Sequence, residues 1–309
     1  MKPATLEDSV QQFVEERRGY YEQWLFDEPL VVSKKHNDRL KELQKVMHKM
    51  ITHFVTNYES FQHLMPVSEH VAEVLRIMQD QPYKVGTYRT DFVYDTARQA
   101  KIIEITCRFA LNGMLFASIF NQFAEDFRSK HLSDVSTEDL YRPIFKHLET
   151  YYQGCDSIML LRGADVKNES KLFTAIFERT GMVVKPISVD QIEDHLEELS
   201  VSWIISELSF DEILSIPKDL FIKLSQFNVI NDFRTIFLIH DKRFFSVMGN
   251  VAFQQSILNK EEIALFNTFY VPTFTASERA DLWEAARLNK SDWIIKHRAL
   301  GKSQKIYAG

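Results

Sequence analysis

The chain has 309 residues, 45% of them hydrophobic and 26% charged, with a formal net charge of −6. That size allows two domains or one large α/β unit with a sizeable core. The negative balance disfavours a general nucleic-acid role, because neutralising phosphates takes a basic footprint, and leaves room for a local basic pocket for a nucleotide. Nine glycines argue against a dinucleotide-binding fingerprint, and twenty-four phenylalanines promise thick aromatic cores. Cys107 and Cys155 stand alone without CxxC spacing, which points to a reducing compartment and no zinc site. No apolar signal region and no membrane-length run occurs, so a cytoplasmic protein is expected.

Thr5 and Asp8 are placed to start a helix that carries Val10, Phe13, Val14, Tyr20, Tyr21, Trp24 and Leu25 up to Pro29. Ser33 caps the clearest helix of the chain, where Leu40, Leu43, Met47, Met50 and Phe54 recur at steps of three and four. That stripe is packing, not a ligand box. His36, His48, His53 and His63 lack a second ligand at i, i+4, so no metal is assigned to them. Pro66 and Ser68 introduce a third helix through Val71, Leu75 and Met78.

Tyr88 to Asp95 and Lys101 to Phe109 read as two strands around a polar turn. Arg89 and Asp91 are two apart and share a face; Glu104 and Thr106 share one on the second strand, with Arg108 if the strand continues. Two arginines and two carboxylates gathered this way can hold an anionic substrate and a divalent metal. A satisfied ion-pair network is the plainer reading of the same residues.

Asn112-Gly113 turns the chain into a helix over 114–130, and Thr137 caps another with Leu140, Ile144, Phe145 and Leu148. From about Ser157, short apolar runs at 158–161, 182–184, 201–205 and 227–230 alternate with helical patterns around 172–177, 192–199 and 217–224. Repeated strand–helix units with short loops argue for a parallel sheet, placed at 155–240. Arg162-Gly163-Ala164-Asp165 lies at the carboxyl end of its first strand, where such folds bind ligands. Two helices are expected over 239–248 and 258–266, and a third after Ser277. Trp293 to Lys296 then reads as a strand, followed by a basic turn holding Gly301 and Lys302 and a second strand at Ile306-Tyr307. Such a hairpin can cover a polyphosphate with lysine charge and backbone amides. Gly301-Lys302-Ser303 is not a P-loop, since Lys296 stands where the earlier glycine would be and no helix pattern follows.

Three stretches in order carry a resemblance: Arg89-x-Asp91-Phe92 with Ile103-Glu104-Ile105-Thr106, Asp241-Lys242-Arg243 opening a helix, and Ile295-Lys296 before the turn that ends at Ile306-Tyr307. Together they resemble the circularly permuted ATP-grasp ligases, closest to the eukaryotic-type glutathione synthetase, with glutathionylspermidine synthetase more distant. The fold implied is α+β with an α/β subdomain. Residues 1–154 would form a helical subdomain plus an antiparallel strand pair. Residues 155–240 would be an inserted parallel α/β substrate domain, and 241–309 an incomplete ATP-grasp nucleotide-binding part.

The resemblance implies an ATP- and magnesium-dependent carboxylate–amine ligase acting through an acyl phosphate. Arg89 and Arg108 would be catalytic. Arg89, Asp91 and Asn112 would meet the substrate, and Glu104 would ligate magnesium. Lys242, Lys296, Gly301 and Lys302 would hold ATP. Small-molecule carboxylate and amine substrates and a homodimer are implied, with no nucleic acid and no membrane. Thr106 stands where that family has a metal-binding asparagine, and Leu300 where one branch has a metal-binding glutamate. The sequence stops at Gly309, where further nucleotide residues would follow in the family. A noncatalytic or degenerate member of the scaffold, or a fragment of a ligase, is the alternative.

Overall fold

A computed structural model describes residues 8, 12, 15–19, 30–113, 123–130, 135–136, 141–164, 168–179, 181–298 and 306–308. The chain forms two compact units: Met1–His36 with Arg108–Asn231, and Asn37–Cys107 with Asp232–Gly309. The division expected at 154 and 240 is contiguous, whereas these two units are each built from two separate stretches of chain. The chain after Asn231 rejoins the unit that holds the strand pair, because its aromatic side chains complete that unit's core.

In the strand-pair unit, helix α1 (Lys34–Thr56) buries Leu43, Met47, Met50 and Phe54 on the stripe anticipated from their spacing. At its start, the His36 amide donates to Ser33 Oγ at 3.2 Å. The short α2 (Tyr58–Phe61) and α3 (Glu69–Ile77) follow, and α3 buries Val71, Val74 and Leu75. Strands β1 (Arg89–Tyr94) and β2 (Ala100–Thr106) then pair antiparallel. Their turn is closed by Asp95, whose Oδ1 accepts the amides of Ala97 and Gln99 at 2.9 and 2.8 Å. The register slips after Asp91: Asp91 faces Glu104, Phe92 faces Ile102, and Ile103 is left over as a bulge.

The other unit contains α4 (Tyr141–Tyr151), β3 (Ser157–Leu161), α5 (Asn168–Arg179), β4 (Val183–Ile187), α6 (Leu196–Ser200), β5 (Trp203–Ser206), α7 (Phe210–Leu214), α8 (Lys218–Ser225) and β6 (Val229–Ile230). The four strands form a parallel sheet in the order β4-β3-β5-β6. This is the sheet expected from the alternating pattern. Its core joins Ile158, Leu160, Phe173, Phe177, Ile205 and Tyr152. The helix expected over 192–199 is instead two 3-10 turns and the short α6. The start of the helix expected over 114–130, Thr137, and the N-terminal helix through most of its length lie outside the described residues.

The chain returns to the strand-pair unit as α9 (Phe233–Leu238), α10 (Phe244–Gly249), α11 (Val251–Ile257), α12 (Lys260–Phe269) and α13 (Ala280–Leu288). Phe54 of α1 meets Phe244 and Phe253 with ring centroids 5.1 and 5.9 Å apart, which ties the two chain segments into one core. Strands β7 (Ile294–Lys296) and β8 (Ile306–Ala308) form an antiparallel pair, with Lys296 opposite Ile306.

Candidate functional site

The β1–β2 pair sets Arg89 opposite Thr106 and Asp91 opposite Glu104. The alternation predicted a shared face for each pair, and the register puts all four side chains on the same one. Two carboxylates directly opposite each other repel unless cations intervene. Here three cations do. Arg89 Nη2 donates to Asp91 Oδ2 at 3.0 Å, and Arg89 Nε donates to Oδ1. Lys242 Nζ lies 3.1 Å from Glu104 Oε1, with the two side chains only 10% and 21% exposed. Lys296 Nζ donates to the carbonyl of Ile103 at 3.0 Å. That carbonyl belongs to the residue the bulge leaves out of the register.

Lys296 links the group together electrostatically. Burial holds its pKa below the usual lysine value; Glu104 and Asp91 oppose that shift, and Lys242 adds to it. One field thus contains two strand carboxylates and two lysines that lie 54 positions apart. The backbone around Lys242 is fixed from both sides. Asp241, 5% exposed, accepts the Arg243 amide at 2.9 Å and pairs with the Arg243 guanidinium at 2.8 Å. The Lys242 amide donates to Arg298 O at 2.9 Å. Asp241-Lys242-Arg243 therefore precedes α10, which begins at Phe244, and Lys242 is held by a turn and not by the helix's first residues.

Arg108 and Asn112 are not part of this group; both belong to the α/β unit. Strand β2 ends at Thr106, so the alternation that would have carried Arg108 onto the same face stops. Arg108 Nε instead donates to Glu207 O at 3.0 Å, its Nη2 lies 3.7 Å from Glu212, and its guanidinium covers the Phe109 ring at 5.0 Å. Asn112 sits in a left-handed conformation, φ 37°, and closes a turn with Phe109: its Oδ1 accepts the Phe109 amide at 3.1 Å and its Nδ2 donates to Phe109 O. Gly301, Lys302 and Leu300 lie outside the described residues.

Sequence reasoning missed a second polar group, at the carboxyl edge of the parallel sheet. Glu207 follows β5 and is 1% exposed. Its oxygens accept the Ala110 amide at 3.0 Å and the Ser170 hydroxyl. Burial pushes its pKa up, against those bonds and the charges of Arg162 and Arg108. Glu212 accepts the amides of Ala164 and Ser209 at 3.0 and 2.7 Å. The pattern Ser209-x-x-Glu212 is a capping-box signature that a closer look at the sequence would have found.

Among the described residues, no three His, Cys, Asp or Glu side chains are grouped to hold a metal unaided. Asp91 and Glu104 do match what magnesium takes from a protein: one or two carboxylates, the rest of its ligands coming from phosphate and water. Residues 40–238 match the family model described as the AnkG N-terminal domain, well over half of the chain. The chain belongs to that family. No curated protein matches it. The AnkG N-terminal domain match includes the β1–β2 hairpin and the parallel sheet, and ends before Lys242 and Lys296. No helix among the described residues is long and apolar enough to cross a membrane.

Proposed function

We propose that this AnkG N-terminal domain protein binds ATP at the strand-pair unit and uses it to join a carboxylate to an amine. The observation that carries the reading is the gathering of Asp91, Glu104, Lys242 and Lys296 in one field. A triphosphate needs cations for its oxygens, and a magnesium complex needs carboxylates for the metal. In this reading Lys242 and Lys296 bind phosphate oxygens, and Arg89 binds the substrate's carboxylate. Asp91 and Glu104 are the side chains that would hold magnesium, which when bound would offset charge on the phosphates. The carboxylate oxygen attacks the γ-phosphorus and ADP leaves, giving an acyl phosphate. The amine then attacks the acyl carbon, inorganic phosphate leaves, and an amide remains. Clustered cations stabilise the charge that builds on the transferring group.

Calorimetry with ATP and magnesium tests the binding step: saturable binding that Lys296→Ala abolishes supports the reading, and no binding by the intact protein removes it. Release of ADP dependent on a carboxylate and an amine tests the ligation. A second reading, a noncatalytic nucleotide-binding protein on the same cluster, is favoured by Thr106, which stands opposite Arg89 where the ligase resemblance implies a metal-binding asparagine. Binding without any ADP release selects it. A cytoplasmic homodimer belongs to the first reading, and light scattering tests the dimer.

A further inference from the structure

We infer that Asp241 and Arg243 are positioning residues for Lys242: their ion pair clamps the turn that presents the Lys242 ammonium to the hairpin. The inference rests on the proposed function, in which Lys242 binds phosphate, and extends it to two residues outside the phosphate-binding group. The side chains of this turn have separate destinations. Lys242 Nζ goes to Glu104 of β2, 3.1 Å away. Asp241 and Arg243 go to each other: Arg243 Nε donates to both carboxylate oxygens at 3.1 Å, and Nη2 donates to Oδ2 at 2.8 Å. Arg243 Nη1 then donates to Pro66 O at 2.8 Å, in the segment between α2 and α3. The Tyr58 hydroxyl fixes that segment in turn, donating to Met65 O at 2.9 Å.

A lysine places a charge poorly by itself, because a flexible aliphatic stem separates its ammonium from the backbone. Its Cα must be held if the ammonium is to meet a phosphate without a large loss of chain freedom on binding. The clamp supplies that hold. A planar guanidinium on a carboxylate fixes direction as well as distance, which an ammonium in its place would not. The buried Asp241 carboxylate also takes the Arg243 amide at 2.9 Å, so backbone and side chain of Arg243 are bound to one group. Between the two, the Lys242 amide donates to Arg298 O at 2.9 Å, two residues beyond Lys296. The turn is thus tied to the segment between α2 and α3 on one side and to the chain leaving β7 on the other. Replacing a buried ion pair by apolar residues of similar volume is often neutral or stabilising, so stability alone does not account for this one.

The test is acetylation of the full chain by acetic anhydride, read at each lysine by mass spectrometry, together with calorimetry for ATP in MgCl2. The variant is Asp241→Asn with Arg243→Met, which removes both charges so that neither is stranded and leaves an asparagine oxygen for the amide at position 243. Lys45, whose side chain on α1 is 70% exposed, is the internal reference. In the variant, Lys242 is expected to be acetylated faster relative to Lys45 than in wild type. ATP is expected to bind about tenfold more weakly, the worth of one charge-assisted bond. Thermal melts verify folding. A clamp that serves stability alone would lower the melting temperature and leave the acetylation ratio where it was; an unchanged ratio overturns the inference and leaves the nucleotide site standing. A raised ratio with unchanged ATP affinity overturns it too, since Lys242 would then be displaced without effect on binding. Absence of ATP binding by wild type removes the proposed function itself, and the acetylation ratio still decides whether the clamp places Lys242. Should the double variant fail to fold, Arg243→Lys keeps the charges balanced but loses the planar fork. The same two shifts are expected, and an unchanged ratio overturns the clamp.

Discussion

Replacing Arg234 with methionine asks how much of the strand-pair unit hangs on one buried cation. Arg234 is 3% exposed and its partner Asp232 is 6% exposed. Its Nε and Nη2 reach the two carboxylate oxygens at 2.9 and 2.7 Å. Its Nη1 donates to the carbonyls of Met78 and Gln81 at 2.9 and 3.1 Å, fixing the segment between α3 and β1. The Tyr83 ring lies 5.2 Å away, and the Tyr83 hydroxyl meets Thr235 Oγ1 at 2.9 Å. Methionine fills the stem's volume but donates nothing. Stranding a buried carboxylate typically costs about 3–5 kcal/mol, against a whole-domain stability of about 5–15 kcal/mol. Urea denaturation followed by circular dichroism measures the loss. Asp232→Asn in the same background supplies a cycle: the asparagine oxygen can keep the α9 cap on the Arg234-position amide, now held by Asp232 at 2.9 Å, but there is no longer a charge to strand. The double variant should therefore be less destabilised than the sum of the singles by at least about 1 kcal/mol. A methionine variant that loses under about 1 kcal/mol, with additive singles, refutes the account.

Three further outcomes are expected. Gly163→Ala places a Cβ 1.7 Å from the Glu212 carboxylate, so the side chain must leave the Ala164 amide, at a cost of roughly 1–3 kcal/mol by denaturation; a neutral substitution contradicts the placement of Glu212. Glu207 holds its proton more tightly in the fold than when unfolded. Its contribution to stability is therefore full below the ordinary glutamate value of 4.5 and is lost as pH rises through the higher folded value. Glu207→Gln should flatten that segment of a stability–pH profile, and an unaltered profile counts against the assignment. Asn112→Ala forces a Cβ-bearing residue without a side-chain bond into φ 37° and should destabilise by about 1–3 kcal/mol, while Asn112→Gly should lose less; melting temperatures in the reverse order would be inconsistent with the turn.

Local periodicity carried most of the fold. The α1 stripe, the four parallel strands and the β1–β2 hairpin all follow from spacing that the chain states openly. Parity along the strands also gave the shared face of Arg89 with Asp91 and of Glu104 with Thr106, and the register joined the two pairs. It failed at Arg108 because nothing in Ile105-Thr106-Cys107-Arg108 marks where pairing stops. It could not show what packs on α1, because that partner is not a neighbour in sequence: Phe54 finds Phe244 and Phe253. Buried charges such as Glu207 and Arg234 were invisible for the same reason. An acid in an apolar setting looks like any other acid until the amide that meets it, from residue 110 in one case, is brought up by the rest of the chain.

The two acid–base groups differ in what satisfies their carboxylates, and that difference separates a sealed edge from a usable site. At the carboxyl edge of the parallel sheet, Glu207 and Glu212 take backbone amides of Ala110, Ala164 and Ser209. Those donors cannot move without moving the main chain, and Gly163 is a glycine at a point where the Glu212 carboxylate would collide with any Cβ. Beside Gly163 and Ala164, at the carboxyl end of β3, the position is taken by the Glu212 carboxylate. On the hairpin, Asp91 and Glu104 are met by the side-chain ends of Arg89 and Lys242. Long side chains can swing to a ligand's phosphate or carboxylate at the cost of rotamers, not of backbone. Carboxylates facing each other across two strands would otherwise be a liability, and a fold selected for stability alone would be better served by a neutral pair. Both acids are retained, each held by the tip of a long cationic side chain, as the proposed exchange of partners requires.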